Sequence, residues 1–212
     1  SIDLYAMRDQ ISLIKKLGSH GIACLGLATE VNKLDFIEKK KIIELVAEIS
    51  NGSLPLVVTI SGKNLKEYKK IVEVAEFYNA SWIVFQPMLK KNTTDKDCFN
   101  FFNKIIKVVN NKTLVGIQNA KEYIGVGLES QEILKLYNKF NNFRAIKGEA
   151  SAILIQNEII KYPKNLTVFN GRGGQEIIDN FLAGCSGIIP SLEGTDVFLK
   201  IYKLIQQKKI RE

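Results

Sequence analysis

Residues 56 to 60, Leu56-Val57-Val58-Thr59-Ile60, form a short run with almost no polar interruption. A strand with one wet face alternates apolar and polar side chains. This one does not, so both its faces should be covered, as in a parallel sheet under helices. The same character returns at Gly21 to Leu27, Trp82 to Phe85, Leu114 to Ile117, Phe143 to Ile146, Leu166 to Phe169 and Gly187 to Ile189. Between these runs the apolar spacing changes to threes and fours. Ile42, Val46 and Ile49 make one stripe, Cys98, Phe101, Phe102, Ile105, Val108 and Val109 a second, and Val197, Phe198, Ile201, Leu204 and Ile205 a third. That period marks amphipathic helices. Asn64, Thr93 or Thr94, and Ser130 stand where helix N-caps are needed.

The order is a helix over roughly Leu4 to Leu17, then seven strand–helix units. Strict alternation of this length fits a barrel or a doubly wound sheet. No glycine-rich dinucleotide turn follows the first visible strand, which weighs against the second. An opening helix with no strand before it predicts a (β/α)8 TIM barrel lacking its first strand. The expectation is one domain over residues 1–212, incomplete at both ends, with two unpaired sheet edges that imply a gap or poor stability.

Composition narrows the function. The 46% hydrophobic content is enough for a sizeable core, and no apolar run is long enough to span a bilayer. The net charge of +8 comes from lysines interleaved with acids, as in Glu38-Lys39-Lys40-Lys41. No basic stretch alternates with stacking aromatics, so neither nucleic acid nor membrane is an expected partner. Cys24, Cys98 and Cys185 lack metal-ligand spacing and read as reduced, buried residues of a cytoplasmic protein. With one histidine and no ligand-spaced carboxylates, neither metal nor cofactor is expected.

A parallel barrel works at the loops following its strands' C-terminal ends. Those loops are Gly26-Leu27-Ala28-Thr29-Glu30, Thr59-Ile60-Ser61-Gly62, Gln86-Pro87, Gln118-Asn119, Lys147-Gly148-Glu149, Asn170-Gly171-Arg172-Gly173-Gly174 and Pro190-Ser191. Lys147 ends a strand, so its amine should approach the barrel axis, where desolvation favours the neutral nucleophile. A strand-end lysine can equally reach solvent. The glycine run around Arg172 suits either an anion cradle before a helix or a tight left-handed turn. Glu30 is a general base or a helix cap. His20 precedes a strand and falls at the opposite end.

Taken in order, these loops resemble the dihydrodipicolinate synthase / N-acetylneuraminate lyase family of Schiff-base-forming barrels. Gly26 and Glu30 sit where the family has Gly-Thr-Thr-Gly-Glu, Gln86-Pro87 where it has Thr-Pro, and Gln118-Asn119 where it has Tyr-Asn. Ala145-Ile146-Lys147 matches its Gly-Ile-Lys. The resemblance makes Lys147 the imine-forming residue and implies a homo-oligomer, dimer or tetramer. The departures are specific. Leu27 and Ala28 replace the paired threonines that hold the keto-acid carboxylate, and Thr29 stands at the family's glycine. Gln118 replaces the proton-relaying tyrosine, and an amide is neither acid nor base near neutrality. Met88 and Leu89 replace the tyrosines after Thr-Pro, and the C-terminal helices are absent.

The expectation is a Schiff-base-forming lyase, an aldolase or dehydratase, acting on a 2-keto acid such as pyruvate or a sugar-derived keto acid. Lys147, Gln118 and Glu149 are its catalytic candidates, with Tyr123 a further proton carrier if its loop folds inward. Leu27, Ala28, Thr29, Asn119, Asn170, Gly171, Arg172 and Ile189 are the substrate-binding candidates. The alternatives are a barrel for phosphorylated metabolites that makes no imine, and a non-catalytic keto-acid binder.

Overall fold

A computed structural model describes residues 2–90 and 92–208. Seven parallel strands, β1 (Ile22–Cys24), β2 (Leu56–Ile60), β3 (Trp82–Phe85), β4 (Leu114–Asn119), β5 (Phe143–Gly148), β6 (Thr167–Gly173) and β7 (Gly187–Pro190), pair in chain order. Helices α1 (Leu4–Leu17), α2 (Phe36–Ser50), α3 (Leu65–Phe77), α4 (Asp95–Ile105), α5 (Lys121–Ile124), α6 (Ser130–Lys139), α7 (Ala152–Ile159), α8 (Ile177–Leu182) and α9 (Thr195–Gln206) alternate with them. The result is a nearly closed (β/α)8-type barrel.

The two-residue period of the strands divides the apolar mass in two. Val58, Ile60, Ile83, Phe85, Val115, Ile117, Ile146 and Val168 face outward into the main core against the helices, each at most 2% exposed. Trp82, Val84 and Ala145 face inward, with Val57, Phe169 and Ile189 half-buried around them. The Trp82 and Phe169 rings fill the barrel floor, centroids 5.2 Å apart. They fit because β4 has a register shift at Val115/Gly116, and a Cβ on Gly116 would lie 2.7 Å from Trp82 Nε1.

The helix starts follow side-chain chemistry. Asn64 Oδ1 accepts from Glu67 N at 3.1 Å, and Thr94, not Thr93, caps α4 in a reciprocal box with Asp97. At α6 the cap position is Glu129 rather than Ser130, and its backbone N–H is met by Glu132 Oε2 at 3.1 Å. Strands β4, β5 and β6 run further than their apolar stretches, into Gln118, Lys147 and Asn170, because ladder bonds are indifferent to inward side-chain polarity. β1 is shorter than its stretch. Leu25 takes a left-handed φ of 61° and ends it.

Among the described residues nothing pairs with the outer edges of β1 and β7. Ala23 is exposed and all of β7 is half-buried. The helical layer continues across this seam, where α1 neighbours α9 and His20 stacks edge-on against Tyr202. No helix of the described residues is long and apolar enough to cross a membrane.

Candidate active site

Ala145, Lys147 and Glu149 share the inward face of β5 and its extension. Lys147 and Glu149 are each 6% exposed, and Lys147 Nζ lies 2.8 Å from Glu149 Oε1. Lys147 is level with Gln118 on β4, whose Nε2 donates to the same Glu149 oxygen at 2.6 Å. Glu149 N donates to Asn119 O at 3.1 Å, which fixes the carboxylate beside the amine. Two glycines make room. A Cβ on Gly171 would stand 2.5 Å from Lys147 Cε and 3.0 Å from Glu149 Oε1, so β6 must carry glycine there. A Cβ on Gly26 would be 3.8 Å from Nζ, so the loop after β1 roofs the amine with backbone.

A buried ion pair is costly to desolvate and is held only by tight geometry and further hydrogen bonds. Gln118 supplies one such bond here. Proton transfer within the pair turns the ammonium into a neutral amine and the carboxylate into a carboxylic acid. An amine and a carboxyl group in this arrangement can act as a nucleophile with an adjacent proton store.

The other sequence candidates divide into neighbours of this pair and scaffolding. Leu27, Ala28 and Thr29 form a short 3-10 turn, in which Thr29 Oγ1 donates back to Gly26 O at 2.7 Å and Ala28 is exposed. Glu30 is exposed and ion-paired with Lys33. The Asn119 amide is engaged at both ends by the Leu128 backbone, at 2.9 and 3.0 Å. Asn170 Nδ2 donates to Ala150 O and to Asn180 Oδ1, and Asn170 Oδ1 accepts from Arg172 N, which shapes the loop after β6. Arg172 reaches across the mouth. Its Nε donates to the hydroxyl of Tyr123 on α5 at 3.1 Å, and its Nη1 contacts Glu176 at 2.7 Å. Ile189 faces inward beside Trp82.

The glycines near Arg172 serve the turn. Gly173 and Gly174 have φ of 65° and 94°, a Cβ on Gly174 would run into the Phe198 ring, and α8 begins only at Ile177. Cys24, Cys98 and Cys185 are free and buried, and burial pushes the Cys24 thiol up to about 12. Among the described residues no three His, Cys, Asp or Glu side chains gather as a metal site.

Sequence reasoning missed a second feature of the mouth. A cleft of about 610 Å³ is lined by Leu27, Lys39, Ser61, Tyr68, Gln86 and Pro87. Lys39 is 4% exposed, paired with Glu67 at 2.9 Å and donating to Ser61 O at 3.4 Å. Its signal was its spacing, since it falls on the helix face of Ile42, Ile43 and Val46.

Comparison with known proteins agrees with the barrel fold. The profile of the Dihydrodipicolinate synthetase family matches residues 1–196. The 4-hydroxy-tetrahydrodipicolinate synthase of Flavobacterium psychrophilum is 24% identical over 215 residues, covering all of this chain and 72% of that protein. The N-acetylneuraminate lyase of Lactiplantibacillus plantarum is 28% identical over 117 residues, covering 55% of this chain and 39% of that protein. Among solved structures, an E. coli K12 prophage protein of the dihydrodipicolinic acid synthase family, in complex with pyruvate, superposes with a TM-score of 0.90. It shares 19% identity, and the match covers all of this chain and 72% of that one. Matched over almost its whole length, the chain belongs to the dihydrodipicolinate synthetase family and is one of its lyase barrels.

Proposed function

We propose that this protein is a Schiff-base lyase acting on a 2-keto acid, with Lys147 as the nucleophile and Glu149 as the proton carrier. The observation that carries the reading is the buried amine at the C-terminal end of the barrel, 2.8 Å from a carboxylate. Family membership and the pyruvate-bound structural relative support it.

Lys147 passes a proton to Glu149, and its free amine adds to C2 of the keto acid. Glu149 returns the proton to the departing hydroxyl, so water leaves and an iminium forms. That cation draws in the electron pair released at C3, either when the C3–C4 bond breaks as the Glu149 carboxylate takes the C4 hydroxyl proton, or when the carboxylate takes a C3 proton; the enamine so formed then adds to a carbonyl or expels a β-hydroxyl that Glu149 protonates. Gln118 holds the carboxylate in place and carries no proton itself. Glu149 thereby fills the role that the family's tyrosine has at position 118.

Two coarser parts of the reading have their own support. The three free, buried cysteines fit a reducing, cytoplasmic setting. The exposed Ile153, Leu154, Ile160 and Leu182 on and beside α7 and α8 fit a homo-oligomer, dimer or tetramer.

The test is reductive trapping. Sodium borohydride with pyruvate or a sugar-derived 2-keto acid should leave a stable adduct that peptide mass spectrometry places on Lys147. Lys147→Ala should abolish it. An unmodified lysine across a broad panel of 2-keto acids would end the proposal.

A further inference from the structure

Lys147 and Glu149 are each 6% exposed, so the pair is nearly closed off and a substrate reaches it only when a covering segment moves. One cover is the backbone at Gly26, where a Cβ would stand 3.8 Å from Nζ. A second follows from the strand order. β5 lies between β4 and β6, yet Tyr123, four residues beyond the end of β4, accepts a hydrogen bond at 3.1 Å from Arg172 Nε, near the end of β6. A contact between the ends of those two strands spans the end of β5, where Lys147 and Glu149 stand.

The span is anchored firmly on one side. Arg172 Nη1 contacts Glu176 Oε2 at 2.7 Å, and the same oxygen accepts from Ala152 N, at the start of α7, at 3.3 Å. The segments following β4, β5 and β6 are thereby joined in one chain of hydrogen bonds around the reacting pair. Arg172 is also coupled to the amine through its neighbour, because Gly171 packs against the Lys147 stem. The weak side is that of Tyr123. Its helix α5 has four residues, too few to be stable alone, and leads into Gly125 with a φ of 82°. Apart from Arg172, the polar contacts holding it run to Asp95, which pairs with Lys121 at 2.8 Å and accepts from Gly127 N at 3.0 Å. Tyr123 is 57% exposed, so on swinging outward it loses one hydrogen bond and little apolar contact. Segments held by few buried contacts open most readily.

We propose that Tyr123 and Arg172 form a latch over Lys147, which α5 must release to admit a keto acid longer than pyruvate. These two residues thereby set the size of substrate, which the lysine–carboxylate pair does not. The keto acid rests on the Schiff-base reading above, whereas the latch stands on the hydrogen bonds alone.

Two amine reagents of different size test the latch without a ketone. Cyanate is small and trinitrobenzenesulfonate bulky, and peptide mass spectrometry reads the modification of each lysine separately. In Tyr123→Phe and Arg172→Met, trinitrobenzenesulfonate should modify Lys147 about tenfold faster than in the wild type, the order expected for losing one hydrogen bond to a charged group, and cyanate should gain less. Exposed Lys40 should react at an unchanged rate, and Lys39, buried to a similar degree in α2, should gain less than Lys147. An unchanged Lys147 rate, an equal gain with both reagents or an equal gain at Lys39 overturns the proposal. In borohydride trapping, the same substitutions should lower the half-saturating concentration of 2-oxohexanoate relative to that of pyruvate, and a ratio that neither changes overturns it too. Faster amine modification with no keto acid trapped upholds the latch and ends the Schiff-base reading.

Discussion

On the β5 side of the barrel interior, charge is matched to charge. The Lys147 amine faces Glu149, Gln118 donates to the same carboxylate oxygen, and Gly171 leaves just the room that the lysine stem needs. On the adjoining strands β2 to β4 and their ends, Ser61 Oγ, Gln86 Nε2 and Gln118 Oε1 are buried without a hydrogen-bond partner. The difference is one of timing. A reacting pair gains from being assembled before substrate arrives, since no reorganisation is then needed during the reaction. A recognition surface gains from atoms that only the right ligand satisfies, because the wrong one leaves them unpaired.

The largest expected effect comes from unmatching the matched side. Glu149→Gln keeps the shape but removes the charge, so Lys147 becomes a buried cation without a counter-ion. Breaking such a pair costs about 3–5 kcal/mol, which in a chain of this size lowers the midpoint temperature by roughly ten degrees. Loss of a positioned proton carrier should also reduce turnover of a trapped keto acid by about 10²- to 10⁴-fold. Thermal melts and steady-state rates read the two effects separately. Turnover at the wild-type level would assign the proton transfers to another group.

Space is the next test of the same wall. Gly171→Ala places a methyl where Lys147 Cε now lies, and overpacking of this kind costs about 1–3 kcal/mol. The lysine must turn away, so borohydride trapping should fall more steeply than stability. Gly26→Ala is the control. Its Cβ would meet Nζ at 3.8 Å, an ordinary contact, and Gly26 has a φ of −72°, which any residue adopts. Equal losses in the two variants would mean that the tight fit around the lysine stem has no bearing on the amine.

The contrast also explains what the sequence made legible. The barrel was readable because each buried strand is a continuous apolar run, and Lys147 because it stands at the end of one. The Lys147–Glu149 pair follows from strand geometry, since residues two apart share a face. The duties of Asn119 and Asn170 were not readable. Each amide is used by backbone that is distant in sequence or folded back by a turn, Leu128 in one case and Ala150 in the other. The unpaired atoms were hidden for a related reason. Ser61, Gln86 and Gln118 lie on or at the ends of separate strands, and only the folded sheet shows that Ser61 Oγ, Gln86 Nε2 and Gln118 Oε1 meet no partner.

The smallest expected effect separates a recognition surface from an ordinary defect. A hydroxyl buried without a partner carries a desolvation cost of about 1–3 kcal/mol, so removing it should leave the ligand-free protein no less stable and by up to about 1 kcal/mol more so. Ser61→Ala should therefore raise the ligand-free midpoint by about 2–4 °C while reducing the further rise produced by a sugar-derived 2-keto acid. Ser50→Ala removes an equally unpaired hydroxyl at the last residue of α2, at the far end of the barrel. It should raise the ligand-free midpoint in the same way and leave the ligand-induced rise unchanged. Parallel behaviour of the two serines would reduce Ser61 to a packing fault. Opposite responses to ligand would mean that the protein gives up stability on β2 in exchange for discrimination, which is what an unpaired wall beside a fully paired one implies.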